Sequence, residues 1–241
     1  MRPAAPPFCH CWRARLGPVA PTALATLAAD ERTRLARFHR PASGQAYAGA
    51  HLLLRTVLGH YTGQAPAELV LEADARHKPT LTAREPLFFN LSYRARWALL
   101  AVSNAGEVGA DVEETRPVTG TGALVEQLFS AAEQAALQPR SGQAWWALFF
   151  EIWTRKEAWA KMQGMGLAQP FTDFSVATGV GPDLAWQVPG PGFMHGFALD
   201  ADHAVALAVQ PQNSAYIPTW QYFDFPAAIP FISSLPPGAA D

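Results

Sequence analysis

Two acidic residues stand two positions apart in a short apolar segment of this 241-residue chain. Asp111 and Glu113 flank Val112, and the stretch from Glu107 to Glu113 is predicted to be a strand. Residues i and i+2 of a strand project to the same face, so the two carboxylates should lie side by side. Such a pair is common at a solvated strand end. It also offers the oxygen ligands that Mg²⁺ prefers when phosphates complete its coordination.

A third carboxylate and a lysine lie near the end of a strongly predicted helix, from Gln143 to Gln163. Glu157 is expected at the rim of the apolar face of this helix, and Lys161 follows four residues later. An i,i+4 Glu–Lys pair usually only supports its own helix, by about 0.2–0.5 kcal/mol. Beside a face that must pack on the protein, the same pair can complete a metal–phosphate site. The apolar face is formed by residues at helical spacing: Trp146, Phe149, Trp153 and Ala160.

Lysine is rare in this chain, which uses arginine for almost every ordinary cation. Only Lys78, Lys156 and Lys161 are lysines among the 18 basic Lys and Arg residues. Codon bias, with the three lysines at random positions, would explain the low number of lysines. Lysine is nevertheless a compact point charge whose pKa shifts readily, which suits a functional position.

Three further segments carry groups that can bind an anion. Arg34, Arg37 and Arg40 recur every three residues, although such a cluster is usually a solvated basic face. The loop 77–79 has Lys78 at its tip. The segment 90–92, Asn-Leu-Ser, offers amide groups and a hydroxyl to a phosphate.

The predicted elements run strand, helices, strands, and then repeat that order, which indicates two α+β halves that meet near residues 104–107. The turn at 104–106 between two apolar runs predicts a β-hairpin of Trp97–Ser103 with Glu107–Glu113. Ser43 is a plausible N-cap of a helix that extends to Tyr61. Ser130 and Glu133 fit a capping box. We expect an N-terminal half over 1–105, a C-terminal half over 106–210 and a tail over 211–241.

Composition narrows the class of protein. The net charge of −2 shows no basic excess for nucleic acid, and the apolar runs are too short for a membrane helix. Cys9 and Cys11 are too close in sequence for a disulfide framework. We expect a cytoplasmic monomer that binds neither nucleic acid nor membrane. The tail, rich in proline and aromatic residues, should lie extended along the protein surface or bind a partner.

Taken in order, these stretches resemble the Sfp-type 4′-phosphopantetheinyl transferases over roughly residues 8–210. The most specific part is the spacing W-x-x-K-E-x-x-x-K-x-x-G-x-G-L after G-x-D-x-E. The matching stretches are Lys78-Pro79, Phe89-Asn90-Leu91-Ser92, Gly109-Ala110-Asp111-Val112-Glu113, Phe129-Ser130-Ala131-Ala132-Glu133, and the helix motif from Phe149 through Trp153, Lys156, Glu157, Lys161, Gly164 and Gly166 to Leu167.

The resemblance implies a pseudo-dimer of two similar α+β halves, with the active site and coenzyme A in the cleft between them. The implied reaction moves phosphopantetheine from coenzyme A, the co-substrate, to a serine of an apo acyl or peptidyl carrier protein. Mg²⁺, or Mn²⁺ in its place, would be held by Asp111, Glu113 and Glu157. Glu157 is the candidate general base, and Lys161 would contact the pyrophosphate and stabilise negative charge.

The resemblance also implies where the rest of coenzyme A lies. Lys78 and Pro79 would border the adenine nucleotide. Arg34 and the segment Asn90, Leu91, Ser92 and Tyr93 would lie against the same ligand, and the stretch from Glu114 to Gln143 would help to receive the carrier protein.

The chain departs from the family pattern at several positions. Tyr93 stands where the family usually has a histidine that contacts a coenzyme A phosphate, and a tyrosine carries no charge at neutral pH. His77 replaces the usual glycine before Lys-Pro. Ser43 and Ala46 replace an Asp and a basic residue. Two alternatives stay open at this point: a non-catalytic relative that binds coenzyme A or a carrier protein, and a different magnesium-dependent phosphotransferase or phosphohydrolase.

Overall fold

The computed structural model describes residues 6–75, 78–83, 86–165 and 170–225. Its helices are Ala29–Leu35 (α1), Pro41–Thr62 (α2), Thr121–Leu128 (α3), Ala131–Leu137 (α4) and Gly142–Gln163 (α5). Its strands are Cys9–Arg15 (β1), Leu71–Ala73 (β2), Pro79–Leu81 (β3), Phe88–Arg94 (β4), Trp97–Ser103 (β5), Gly106–Glu114 (β6), Ala177–Thr178 (β7), Ala185–Trp186 (β8), Phe193–Asp200 (β9), His203–Pro211 (β10) and Trp220–Phe225 (β11). Gly166 and Leu167 of the helix motif, and His77, lie outside the described residues.

The strands form two main sheets, each with one long helix. The first sheet has the order β11-β1-β5-β4 and the second the order β6-β10-β9. The first packs on α2 and the second on α5, and both of these helices have 22 residues. The protein is therefore α+β with two similar halves, as the sequence predicted.

Apolar side chains hold the four layers together. Leu53 and Val57 of α2 pack on the outer face of the first sheet, against Leu100 and Val102. The inner faces of the two sheets pack on each other and form a separate apolar core. On the far side, α5 packs on small residues of β10 through Ala158, Trp159, Met162, Ala206 and Ala208. Each main sheet is thus covered on both faces, which explains the continuous apolar runs in β5 and β10.

The predicted β-hairpin of β5 with β6 is wrong. β5 pairs with β1 and β4, whereas β6 pairs with β10, so the turn at 104–106 leads from one sheet to the other. A Cβ on Gly106 would overlap the carbonyl of Gln210, so only glycine lets the chain pass this close to β10. A short glycine turn fits a corner between packed sheets as well as a hairpin, and local sequence does not distinguish them.

Two predicted caps have opposite outcomes. The Ser130–Glu133 capping box at α4 is confirmed, with the Ser130 side chain accepting from the Glu133 amide. Ser43 is not an N-cap, because α2 already begins at Pro41 after Arg40. Proline suits the first turn of a helix, since its φ is fixed and its missing N–H would be unpaired there.

The described part of the tail adds a strand to the first sheet. β11 runs parallel to β1, and Phe223 and Phe225 join the core beneath α2. Arg13 and Asp224 form an ion pair at 2.8 Å between the two strands. Cys9 and Cys11 of β1 are buried and free. Among the described residues, no helix has the length and apolar character needed to cross a membrane.

Gly109 sets how closely α5 approaches β6. A Cβ at this position would overlap the carbonyl oxygen of Ala158 and lie 2.6 Å from the amide nitrogen of Met162. Both atoms belong to the helix backbone, which cannot turn aside as a side chain could. Gly109 occupies the same face of β6 as Asp111 and Glu113, because residues i, i+2 and i+4 of a strand share a face.

Replacing Gly109 with Ala should push α5 away from β6 and lower the free energy of unfolding by about 1–3 kcal/mol, as expected for overpacking. Urea unfolding followed by circular dichroism measures this change. Gly122→Ala in α3 is the matched control, since nothing lies within 4 Å of a Cβ built there. Equal stability of the two variants would contradict the role assigned to Gly109.

Candidate active site

The acidic residues of β6 meet the end of α5 where the two halves join. Asp111 is buried, and the ammonium group of Lys161 donates to its Oδ1 at 2.5 Å. Lys161 also donates to the carbonyl of Ala110 at 3.2 Å. Val112 points the opposite way, into the core between the sheets. The structure therefore brings together the strand acid and the helix lysine that the sequence placed 50 residues apart.

Side chains of β4 close the gap between the two sheets. The side-chain oxygen of Asn90 accepts from the Ala110 amide at 2.9 Å, and Ser92 Oγ accepts from the Val112 amide at 3.3 Å. Ser92 Oγ also lies 3.1 Å from Asp111 Oδ1 and 3.4 Å from the Lys161 ammonium. Asn90 and Ser92 thus join the halves directly, a role that spacing alone did not indicate.

Glu113 and Glu157 complete the acidic cluster. Burial, together with the nearby Asp111, raises the pKa of Glu113 to about 7, against the opposing effects of Arg94 and Lys161. Burial and Asp111 also raise the pKa of Glu157, while Lys161 acts in the opposite direction. Burial alone would lower the pKa of Lys161, but the surrounding carboxylates raise it. The five groups therefore interact strongly as one site.

The donor chemistry of this cluster fits a hard cation such as Mg²⁺. All three acids offer carboxylate oxygens, and Asp111 Oδ2 is buried without a hydrogen-bond partner among the described residues. Their present placement is not a finished coordination shell: within the described ranges, no three acidic, histidine or cysteine side chains are grouped closely enough to hold a metal. Lys161 and Arg94 instead pair with Asp111 and Glu113.

Lys78 lies at the opposite end of β6 from this cluster. Its ammonium donates to Glu107 at 2.5 Å, to the carbonyl of Val108 at 3.0 Å and to that of Met162 at 3.3 Å. It thus connects the start of β3, whose first residue is Pro79, to β6 and to the last turn of α5. A cavity of about 330 Å³ opens beside it, lined also by Asp74, Ala75, Glu107, Met162, Gln163, Gly164 and Gln210.

Arg34 and Tyr93 come together from different elements. The Arg34 guanidinium lies 5.3 Å from the centroid of the Tyr47 ring. Burial raises the pKa of Tyr93, and the positive charge of Arg34 acts in the opposite direction. Leu91 and Tyr93 face α2 and pack on the apolar core between α2 and the first sheet, unlike Asn90 and Ser92. The helix that carries Arg34 is anchored by Glu31, which pairs with Arg55 and accepts from His51 at 2.7 Å. Arg37 and Arg40 lie beyond the end of α1.

Lys156 of the helix motif has a structural role that the sequence left open. Its ammonium is fully buried, 2.8 Å from Glu133, and donates to the carbonyls of Phe171 and Phe174 at 2.7 Å each. Glu133 in turn accepts from the Val176 amide at 2.8 Å. This pair joins α4, α5 and the residues from Phe171 to Val176, so it connects the stretch that ends at Glu133 to the helix motif that contains Lys156.

Fold and site together define an enzyme built from two α+β halves, with three carboxylates and a lysine at their junction. Residues 12–105 match the family model "4′-phosphopantetheinyl transferase, N-terminal", and residues 107–208 match the model "4′-phosphopantetheinyl transferase superfamily". The chain belongs to the 4′-phosphopantetheinyl transferase superfamily, as its motifs predicted.

Individual relatives agree with this assignment. The chain is 34% identical over 148 residues to the 4′-phosphopantetheinyl transferase HetI of Nostoc sp., covering 60% of this chain and 62% of that relative. It is 28% identical over 189 residues to a 4′-phosphopantetheinyl transferase of Bacillus subtilis, covering 77% and 82%. It is 22% identical over 181 residues to Sfp of Bacillus subtilis strain 168, covering 74% and 80%. The alignment with HetI thus spans less than two thirds of that protein.

The Lys156–Glu133 pair predicts a large effect on stability. Lys156→Met should cost about 3–5 kcal/mol of unfolding free energy, because it leaves the Glu133 carboxylate buried without its cation. Adding Glu133→Leu should recover part of that loss. Arg116→Met is the matched control: it breaks an Arg–Glu pair at 3.1 Å whose arginine is 51% exposed, and such surface pairs contribute about 0–1 kcal/mol. Chemical denaturation compares the variants, and similar losses for Lys156→Met and Arg116→Met would refute the structural role.

Proposed function

We propose that this chain transfers the 4′-phosphopantetheine arm of coenzyme A to a serine of an apo acyl or peptidyl carrier protein and releases 3′,5′-ADP. The reaction depends on Mg²⁺, with Mn²⁺ as a substitute. The observation that carries the proposal is the cluster in which Lys161 contacts Asp111 beside Glu113 and Glu157. The names of HetI and Sfp as 4′-phosphopantetheinyl transferases support the same reaction.

Asp111, Glu113 and Glu157 are the proposed cation ligands. The unpartnered Asp111 Oδ2, and the burial and repulsion from Asp111 that raise the pKa of Glu113, both favour binding of a positive charge here. When bound, Mg²⁺ neutralises charge on the diphosphate of coenzyme A during phosphoryl transfer. With Lys161 and Arg94 counted against the three acids, the site has an excess of one negative charge when all five groups are ionised.

Coenzyme A is proposed to extend from this cluster towards Lys78. The cavity of about 330 Å³ beside Lys78 is of a size typical of small-ligand sites, and we assign it to the adenine nucleotide next to Pro79. We assign further contacts with coenzyme A to residues of the N-terminal half, namely Arg34, Tyr93 and the Asn90–Ser92 segment. In this division residues 1–105 supply coenzyme A contacts, residues 106–210 supply the acids, and 211–241 form the tail.

The chemical step requires the carrier serine to lose a proton as its oxygen bonds to the β-phosphorus. The bond from that phosphorus to the 3′,5′-ADP oxygen breaks at the same centre. Glu157 is the proposed general base, because burial raises its pKa and so makes its carboxylate a better proton acceptor. Lys161 stabilises the developing negative charge, and Ser92 helps to hold Lys161 and Asp111 in register.

Mass spectrometry of an apo carrier protein tests the proposal. After incubation with this chain, coenzyme A and Mg²⁺, the carrier should gain one phosphopantetheine arm, and chelation of the metal should prevent the gain. Asp111→Ala should abolish transfer, because it removes the acid that Lys161 and Ser92 orient.

Asp202→Asn is the control for this experiment, since Asp202 is exposed in the turn between β9 and β10 and should leave transfer unchanged. Full transfer by a folded Asp111→Ala protein would exclude the metal assignment. An unmodified carrier, with coenzyme A bound to the wild-type chain, would indicate a non-catalytic binding protein instead.

A further inference from the structure

Arg94 is a cation of the acidic cluster that comes from the first half of the molecule. It ends β4, and its Nε lies 3.0 Å from Glu113 on β6. The Arg94 side chain is 48% exposed, whereas that of Glu113 is 21% exposed. The pair therefore crosses the boundary between the halves, with the guanidinium at the open side of the site.

Strand alternation explains why Arg94, and not Tyr93, faces the acids. Asn90, Ser92 and Arg94 share the face of β4 that meets β6, while Leu91 and Tyr93 face α2. Tyr93 is neutral and lies near Arg34, on the other side of the strand. The positive charge that β4 brings to the acidic cluster is thus the one at position 94.

The contact with Glu113 leaves most of the guanidinium available. A guanidinium has five N–H donors in a planar fork, and Nε accounts for one of them. No hydrogen bond from the remaining four to the residues that the structure describes is found. Such a fork matches two phosphate oxygens better than a lysine does, and a half-exposed ion pair costs little to break.

We propose that Arg94 is a phosphate-binding residue of this site: it leaves Glu113 when coenzyme A binds and donates to the pyrophosphate of that ligand. Glu113 is then free to turn towards Asp111 and Glu157. The inference rests on the proposed function, and it assigns to position 94 the phosphate contact that a neutral Tyr93 cannot make through charge.

Isothermal titration of the full chain with coenzyme A, with Mg²⁺ and with a chelator, tests the proposal. Arg94→Gln should weaken binding about 10–100-fold, as expected for loss of a charged hydrogen bond. Arg94→Lys should lie between this variant and the wild type. Arg96→Gln, an exposed arginine in the adjoining turn, is the matched control and should bind as the wild type does.

Two further titrations separate the roles of Arg94. Arg94→Gln should lose the same factor of affinity for 3′-dephospho-coenzyme A, because that ligand keeps the pyrophosphate. A loss of affinity confined to intact coenzyme A overturns the assignment. Arg94→Gln should also weaken binding in a Glu113→Gln background. If it does not, Arg94 acts only by holding Glu113, and the proposal is wrong.

The outcome also distinguishes this inference from the proposed function. Wild-type transfer with unchanged coenzyme A affinity in Arg94→Gln overturns the inference alone. Failure of the wild-type chain to bind coenzyme A overturns both. Thermal unfolding of each variant shows that a weakened affinity reflects the site and not the fold.

Discussion

Direct contact between α5 and β6 at Gly109 is the constraint on which the site depends. Because position 109 has no side chain, the backbone at Ala158 and Met162 lies against the strand. Glu157 and Lys161 belong to the same turns of the helix, so they are carried to the level of Asp111 and Glu113. Small residues on β10, Ala206 and Ala208, continue the surface on which the helix rests. The distance between α5 and β6 thus determines whether Lys161 and the acidic residues interact, because a wider gap would leave each of them separately hydrated.

The charges of the site are incompletely compensated, and this distinguishes it from the other buried ion pair of α5. Lys156 and Glu133 have no exposed surface and every bond that they make is internal, so they fix structure. Lys161, only five residues further, joins a cluster in which one Asp111 oxygen has no described partner and Glu113 keeps a pKa of about 7. Buried groups whose charges and hydrogen bonds are incompletely paired favour binding of a ligand that supplies the missing charge and hydrogen bonds.

Several local features were predicted correctly, although the Ser43 cap was not, whereas the pairing of β5 with β6 was wrong. The capping box at Ser130, the end of α5 at Gly164 with φ +67, and the opposite directions of Asp111 and Val112 all follow from residues within one or two turns. The hairpin of β5 with β6 was wrong because a three-residue glycine turn allows either pairing or a corner. The apolar run in β5 already indicated burial on both faces, which an isolated hairpin does not provide.

The amino-acid sequence by itself determined the chemistry that is available: three carboxylates, a lysine on a helix, and motif spacing specific enough to indicate the family. Residue types are read directly from the sequence, and the local periodicity of helices and strands depends only on covalent geometry and short-range hydrogen bonds. Tertiary structure alone decided which groups are partners. It placed Asn90 and Ser92 against β6, paired Arg94 with Glu113, and bound Lys78 to Glu107. Those contacts join residues about 20 to 30 positions apart, and sheet order and helix packing, not any local rule, bring them within hydrogen-bond distance.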